Sequence, residues 1–284
     1  SRTDHLGGAA RRWDHPFWCL DGQQEPQTPK GDEVNADKLN SDLFARDAGG
    51  GSVTRTPNGY RLAIPDGEYR HYRVAQLDDY TKLARKDFPN RPSLSLSLHA
   101  RASADSISGT WGFGLWNDPF GLSLGFGGNP FRLPALPNAI WFFHASIENY
   151  LSFGEKPGNG FLAQAFRSPV FPFGRLARVG LTLPFSQMKA RELMGNVVEE
   201  DGVRLGTYVT EWHAYRFEWS PKRSVFWVDD EIVLETSVSP RSPLGLVIWI
   251  DNQYAAFTPE GKSGFGVLEN TEPAWLEIEE LSLR

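Results

Sequence analysis

Residues 213–236, HAYRFEWSPKRSVFWVDDEIVLET, carry the clearest strand signal in the chain. Three short runs, rich in aromatic and β-branched residues, are separated by brief polar breaks. Asp229 and Asp230 form a two-residue break of the kind that requires positive φ and favours Asp, Asn or Gly. The stretch therefore predicts a β-hairpin at these two residues, with a strand on either side.

The same pattern recurs over the rest of the chain. Leu94, Leu96 and Leu98 alternate with serines, which is the period-two pattern of a strand with one buried face. Further apolar runs are TWGFGLW (110–116), AIWFFHAS (139–146), LGLVIWI (244–250) and AWLEIEELSL (274–283). Eight or more strands, punctuated by Gly and Pro, predict an all-β sandwich or barrel.

We expect one sandwich domain over residues 53–284, preceded by a tail and long loop over 1–52. Within that first segment, WDHPFWCL (13–20) is apolar enough to pack onto the sandwich. One short helix is predicted, in SQMKARELMGNVVEEDG (186–202), where Ser186 is placed to cap its start. This helix lies in an apolar insertion over about 150–208.

Composition disfavours several classes of partner. The net charge is -6 and Lys and Arg are scattered, so we expect no nucleic-acid partner. No apolar run reaches the roughly 18 residues that span a bilayer, and the start, SRTDHLGGAARR, has no apolar signal core. Cys19 is the only cysteine, so no intrachain disulfide forms, and the compartment stays open.

The segment TEWHAYRFEWSPKRSVFWVDDEIVLET (210–236) resembles the strand pair of the family 16 glycoside hydrolases, the laminarinase and lichenase group. That family reads W-H-x-Y-x-x-E-W-x-P-x-x-x-x-F-x-V-D-G there, and the matching residues are Trp212, His213, Tyr215, Glu218, Trp219, Pro221, Phe226, Val228 and Asp229. GTWGFGLWNDPF (109–120) is similar in position to the family's Trp-rich strand, and AIWFFHAS takes the place of its catalytic strand. The resemblance implies a two-sheet antiparallel jelly-roll sandwich of the concanavalin A-like kind, with a concave sheet that forms a cleft.

The chain departs from this family at the catalytic strand. The family carries E-x-D-x-x-E there, which places a nucleophile and an acid/base group about 5 Å apart for a retaining reaction. The aligned residues of this chain are Ala139, Trp141 and His144, and none is a carboxylate. The nearest acid, Glu148, lies beyond the strand. We therefore expect the family's hydrolytic chemistry to be absent.

Motifs for metals and organic cofactors are missing from the sequence. It contains no HExxH, no paired cysteines, no D-x-D-x-D-G loop and no phosphate loop. We therefore expect no cofactor. A structural calcium on the outside of the sandwich, which relatives of this fold often carry, stays open.

Polar residues near strand ends supply three candidate catalytic groups, Asp118, His144 and Asp251. If their strands adjoin on the concave sheet, one histidine and two carboxylates could converge, as general acid/base catalysis requires. The alternative is structural, because Asp hydrogen-bonds its own backbone readily at turns and strand ends. A structural role is equally open for His144, and it is the expected one for His213 in the hairpin.

Candidate ligand-binding residues lie on or beside the same strands. They are Trp116, Asn117, Trp141, Trp249, Asn252 and Tyr254. Aromatic rings on a concave sheet can stack on sugar faces or line an apolar pocket, although most tryptophans in strands fill the core. If alternation points Trp141 into the cleft, where the family keeps its central Asp, that residue lines a site.

The insertion includes FLAQAFRSPVFPFGRLARVGLTLPF (161–185), which holds too many apolar residues to leave in water. We expect it to pack as a lid or to form a binding or membrane-facing surface. Together with PFGLSLGFGGNPFRLPALP (119–137), such a lid would narrow the cleft for an apolar or amphipathic ligand. Arg175 and Arg178 could pair with an acidic head group or lie in solvent.

Three functions are consistent with these observations. The first is non-hydrolytic binding of a glycan, glycolipid or other amphipathic ligand in a remodelled aromatic cleft. The second is a hydrolase, lyase or isomerase that uses Asp118, His144 and Asp251 on a saccharide or hydrophobic small molecule, and it is favoured if the carboxyls of Asp118 and Asp251 lie within about 10 Å of each other. The third is a structural or partner-binding module with a filled cleft, and it is favoured if Trp141 and Trp249 are buried and the apolar insertion forms an exposed patch.

Overall fold

The computed structural model describes residues 43–119, 132, 135–169, 187–260 and 263–284. Over these residues the chain forms two seven-stranded antiparallel sheets and a separate two-stranded hairpin. The side chains between the two sheets form one hydrophobic core. The predicted all-β jelly-roll sandwich is confirmed.

Each sheet mixes strands from distant parts of the chain. Sheet A holds, in spatial order, β1 (Phe44–Ala48), β4 (Val74–Asp78), β13 (Gly245–Asp251), β6 (Thr110–Trp116), β7 (Ala139–Ala145), β8 (Gly160–Arg167) and β9 (Glu199–Arg204). Sheet B holds β12 (Glu231–Thr236), β11 (Arg223–Val228), β10 (His213–Ser220), β5 (Leu94–Ala102), β16 (Ala274–Leu283), β3 (Gly59–Ile64) and β2 (Ser52–Arg55). The hairpin is β14 (Gln253–Phe257) with β15 (Ser263–Val267), and the helical elements are α1 (Gln187–Val197) and a 3-10 turn (Arg85–Asp87).

The core between the sheets follows from the period-two alternation of the strands. Leu96 and Phe217 of sheet B and Phe113 and Ile248 of sheet A are fully buried in it. Each such side chain contributes about 1.5–3 kcal/mol relative to an exposed position. Alternate residues of sheet A therefore project away from sheet B, onto the face that carries the candidate site.

The hairpin predicted at Asp229 and Asp230 is confirmed. Both residues have positive φ, 49° and 67°, as a two-residue hairpin turn requires. The Asp229 carboxylate lies 2.5 Å from Nδ1 of His213 and accepts a hydrogen bond from the backbone N–H of Ala214. His213 thus connects the start of β10 to the turn between β11 and β12.

Two segments differ from the sequence-based expectation. The range 1–52 was expected to be tail and loop, but Phe44–Ala48 is an edge strand that pairs with β4. Its sequence, FARDA, mixes apolar and charged residues and therefore gives no clear strand signal. The range 150–208 was expected to be an insertion, but it supplies β8 and β9 to sheet A. Phe161 of β8 faces the shared core, which explains part of the apolar character of this segment.

The expected helix is present as α1, within the predicted stretch. The other expectations for the apolar insertion, including Arg175 and Arg178, fall outside the described residues, as do those for WDHPFWCL (13–20) and for most of the segment 119–137. Among the described residues, the helices are all too short or too polar to cross a membrane.

Candidate functional site

The face of sheet A turned away from sheet B carries a cluster of four aromatic rings at its centre. We call this cluster the aromatic floor; it consists of Trp116 on β6, Trp141 and Phe143 on β7, and Trp249 on β13. Trp116 and Trp249 are stacked with ring centroids 6.0 Å apart and planes 7° from parallel. Trp141 lies 5.7 Å from Trp249 and 5.1 Å from Phe143.

The aromatic floor has this shape because β6, the strand between β13 and β7, has glycines on this face. A Cβ atom added to Gly114 would lie 2.5 Å from the Cβ of Trp141. One added to Gly112 would lie 2.9 Å from Cη2 of Trp249. The indoles of the neighbouring strands therefore lean over β6 and occupy the space that side chains would otherwise fill.

Three rings of the aromatic floor are buried and fixed, and the fourth is partly accessible. The exposed fractions of Phe143, Trp141 and Trp249 are 2, 5 and 7%, whereas Trp116 is half-buried. The indole N–H of Trp141 donates to Oε1 of Gln164 over 3.3 Å. Trp116 is therefore the ring of the floor that is most accessible from solvent.

Asp251 ends β13 at one edge of the aromatic floor and is buried in a hydrogen-bonded chain. Its carboxylate accepts from the Thr110 hydroxyl at 2.7 Å and from the Tyr72 hydroxyl at 3.2 Å. The Thr110 hydroxyl in turn accepts from the indole N–H of Trp249 at 2.9 Å. Burial raises the pKa of Asp251 to about 6, although hydrogen bonds from Thr110, Gln253 and Tyr72 oppose that shift.

A second polar group lines the floor on β4. Gln76 pairs with Trp249 across the β4–β13 ladder and projects onto the same face. Its amide donates to the carboxylate of Asp78 at 2.8 Å and to the Tyr80 hydroxyl at 3.4 Å. Together with Tyr72 and Asp251, these groups form a polar edge beside the aromatic floor.

Asp118 lies at the opposite end of the floor and serves as a turn residue. It has a φ of 48°, and its carboxylate pairs with the buried guanidinium of Arg132 at 2.6 Å. The antiparallel ladder pairs Gly245 with Trp116 and Asp251 with Thr110. Six residue steps, about 20 Å, separate these pairs, and Asp118 lies two residues beyond Trp116, so the two acids lie at opposite ends of the floor.

His144 points to the other face of sheet A, into the core between the sheets. It stacks on Trp111, with ring centroids 5.3 Å apart, and burial lowers its pKa to about 4. The β6–β7 ladder pairs residues without a shift from Ala139 to Ala145, so positions 141 and 144 face opposite ways. A β-bulge would be needed to bring them together. The structure therefore does not bring Asp118, His144 and Asp251 into one site.

The polar residues expected to contact a ligand are engaged with the backbone instead. Asn117 donates to the carbonyl of Leu136 and accepts from the N–H of Asn138. Asn252 is fully buried and joins two backbone segments: it donates to the carbonyls of His71 and Leu268 and accepts from the N–H of Arg73. Tyr254 lies on β14, where its ring covers Gly266 of β15.

Sequence reasoning missed several residues of the site. Thr110 and Tyr72 hold Asp251, and Gln164 holds Trp141. A signal existed for the floor itself, because glycines at 112 and 114 leave one face of a predicted strand without side chains. The described residues hold no group of three or more His, Cys, Asp or Glu side chains placed to bind a metal ion.

Comparison with protein-family models and with curated proteins finds no match. Solved structures do match. A Bacillus licheniformis β-glucanase is 14% identical, with 85% of this chain and 91% of that chain covered and a TM-score of 0.43. A glycoside hydrolase family protein from Mycobacterium thermorestibile is 12% identical, with 85% of this chain and 92% of that chain covered and a TM-score of 0.46.

A legume lectin-like domain from Entamoeba histolytica is 9% identical over 88% of this chain and 92% of that chain, with a TM-score of 0.46. The class that the fold defines is an all-β sandwich of two seven-stranded antiparallel sheets. The likeness concerns the fold alone, and nothing about the chemistry of this chain rests on it.

Proposed function

We propose that the protein binds an amphipathic ligand, such as a glycolipid or another glycan with an apolar part, on the aromatic floor without cleaving it. The observation that supports this best is the aromatic floor itself, with Asp118 and Asp251 at its two ends. Two carboxylates act on one glycosidic bond when they lie about 5 to 10 Å apart. Trp116 alone is already six residue steps, about 20 Å, from the Asp251 pair, and Asp118 lies beyond Trp116, which argues against acid/base catalysis by these two acids.

The surroundings of the floor suit a ligand with two kinds of surface. Trp116 offers a partly accessible indole for an apolar chain or the flat face of a sugar ring. Gln76 and Tyr72, both half-buried, lie on the polar edge and can hydrogen-bond hydroxyl groups. An amphipathic ligand would satisfy both parts of this face at once.

Calorimetric titration with octyl β-glucoside, kept below its micelle concentration, tests this proposal. The probe joins one sugar ring to an apolar chain. Wild type should bind it, and Trp116→Ala should weaken binding about tenfold, as expected for loss of one aromatic contact. Lys222→Ala, at an exposed turn residue between β10 and β11, is the control and should bind normally. Absence of binding to wild type, or equal weakening by both variants, would contradict the proposal.

A second candidate function is a partner-binding module with a filled cleft. It is favoured by the low exposure of Trp141 and Trp249, 5 and 7%. The same titration separates the two candidates. A filled floor predicts no heat with octyl β-glucoside and no difference between Trp116→Ala and wild type.

A further inference from the structure

The outer face of sheet B, on the opposite side of the sandwich from the aromatic floor, groups several large apolar side chains in solvent. Ile232 is 58% exposed and Trp212 37%. Trp227, which pairs with Ile232 across the β11–β12 ladder, is half-buried. Grouped exposure of this kind marks interaction surfaces more often than isolated apolar residues do.

A hollow of ≈ 140 Å³ opens on this face. The base of this hollow is formed by Ser97 and Ala214, two short side chains that project outward from the neighbouring strands β5 and β10. Longer side chains surround it: His99, Arg216, Trp227, Asp230 and Glu280. The hollow therefore has an indole wall, small polar and apolar groups at its base, and hydrogen-bonding groups on its rim.

Guanidinium groups hold the indoles of this face in place. Arg216 lies 3.9 Å from the ring centroid of Trp227. Arg101 lies 4.8 Å from the ring centroid of Trp212 and 5.4 Å from that of Trp275. Such contacts fix the orientation of a surface indole before a ligand arrives, which lowers the entropic cost of binding.

The cations of this face already have carboxylate partners. Arg101 pairs with Glu277 at 2.8 Å, and Arg216 pairs with Glu218 at 2.9 Å. The ring of His99 lies 3.3 Å from Glu280. Because these charges are matched within the protein, the face favours an uncharged ligand over a polyanion such as nucleic acid or an acidic polysaccharide.

The spacing of the indoles indicates the length of that ligand. Trp212 directly precedes β10, and Trp227 pairs with Arg216 four residues further along. Four residue steps and one strand spacing place the two tryptophans about 14 Å apart, with Ala214 between them. We infer that this face is a second binding site, for an extended uncharged glycan that contacts Trp212 and Trp227 and crosses the hollow at Ala214.

Electrophoresis through gels that contain a polysaccharide tests this inference. Mixed-linkage β-glucan, xylan and mannan are the neutral probes, and alginate is the acidic one. At least one neutral polysaccharide should retard wild type more than alginate does. Trp212→Ala and Trp227→Ala should each raise the Kd about tenfold. Ala214→Arg should block the hollow and abolish retardation while leaving both indoles in place.

Ile147→Ala, at an exposed residue between β7 and β8 that belongs to neither site, is the control and should migrate like wild type. The inference is overturned if no neutral polysaccharide retards wild type, if alginate retards it more, or if the three sheet B variants behave like wild type. Titration of those variants with octyl β-glucoside reports the aromatic floor separately. Failure of one site is thus distinguishable from failure of the other.

Discussion

The protonation state of Asp251 couples the stability of the aromatic floor to pH. Its carboxylate accepts from Thr110, whose hydroxyl accepts from the indole N–H of Trp249. Each end of this chain is buried, so the carboxylate is not solvated by bulk water. The acid supports the geometry of the floor, and its protonation state affects stability.

The raised pKa of Asp251 predicts the direction in which the stability of the protein changes with pH. The folded protein holds this proton up to about pH 6, whereas an unfolded Asp releases it near pH 4. The contribution of Asp251 to stability should therefore fall by on the order of 3 kcal/mol as pH rises from about 4 to about 6, and stay constant above that. In Asp251→Asn this part of the slope should vanish, as measured by urea unfolding at a series of pH values.

Asp79 provides the internal comparison for that experiment. Burial raises its pKa to about 7, against hydrogen bonds from Asn90 and the N–H of Leu246. A decline that continues to about pH 7 should therefore persist in Asp251→Asn. An unchanged slope between pH 4 and 6 in that variant would show that Asp251 titrates normally in the folded protein.

Among the elements, β6 determines whether the aromatic floor can form. Gly114→Ala would place a methyl group 2.5 Å from the Cβ of Trp141, against the backbone of β7 as well as its side chain. We expect a loss of about 3 kcal/mol in the free energy of unfolding, measured by chemical denaturation. Gly206→Ala is the matched control, because its new Cβ has no atom within 4 Å. It should change stability by less than about 0.5 kcal/mol; equal effects would refute this account of β6.

The elements that could be predicted are those whose signals, apolar runs and turn-forming residues, lie within one short stretch of sequence. β6 and β16 begin and end where their apolar runs do, and the turn at Asp229 and Asp230 has the expected positive φ angles. The direction of His144 was harder to predict. It depends on whether β7 contains a bulge, and the run AIWFFHA is apolar on both faces, so its pattern cannot indicate one.

For the whole molecule, the sandwich followed from local patterns but the candidate site did not. Asp118 and Asp251 each follow an aromatic strand, and sequence alone does not reveal that these strands run antiparallel beside each other. That pairing sends the two acids to opposite ends of the floor. The ion pair of Asp118 with Arg132 is likewise a tertiary contact. It cannot be predicted from an aspartate at a turn position, because such a residue can hydrogen-bond its own backbone instead.

The most direct test of binding without cleavage is native mass spectrometry of the protein mixed with octyl β-glucoside. It reports in one spectrum whether a ligand is bound and whether that ligand is intact. We predict a complex with intact octyl β-glucoside for wild type, and a much smaller fraction of complex for Trp116→Ala. Release of octanol and glucose that stops in Asp118→Asn or Asp251→Asn would contradict this account, as would a spectrum without any complex.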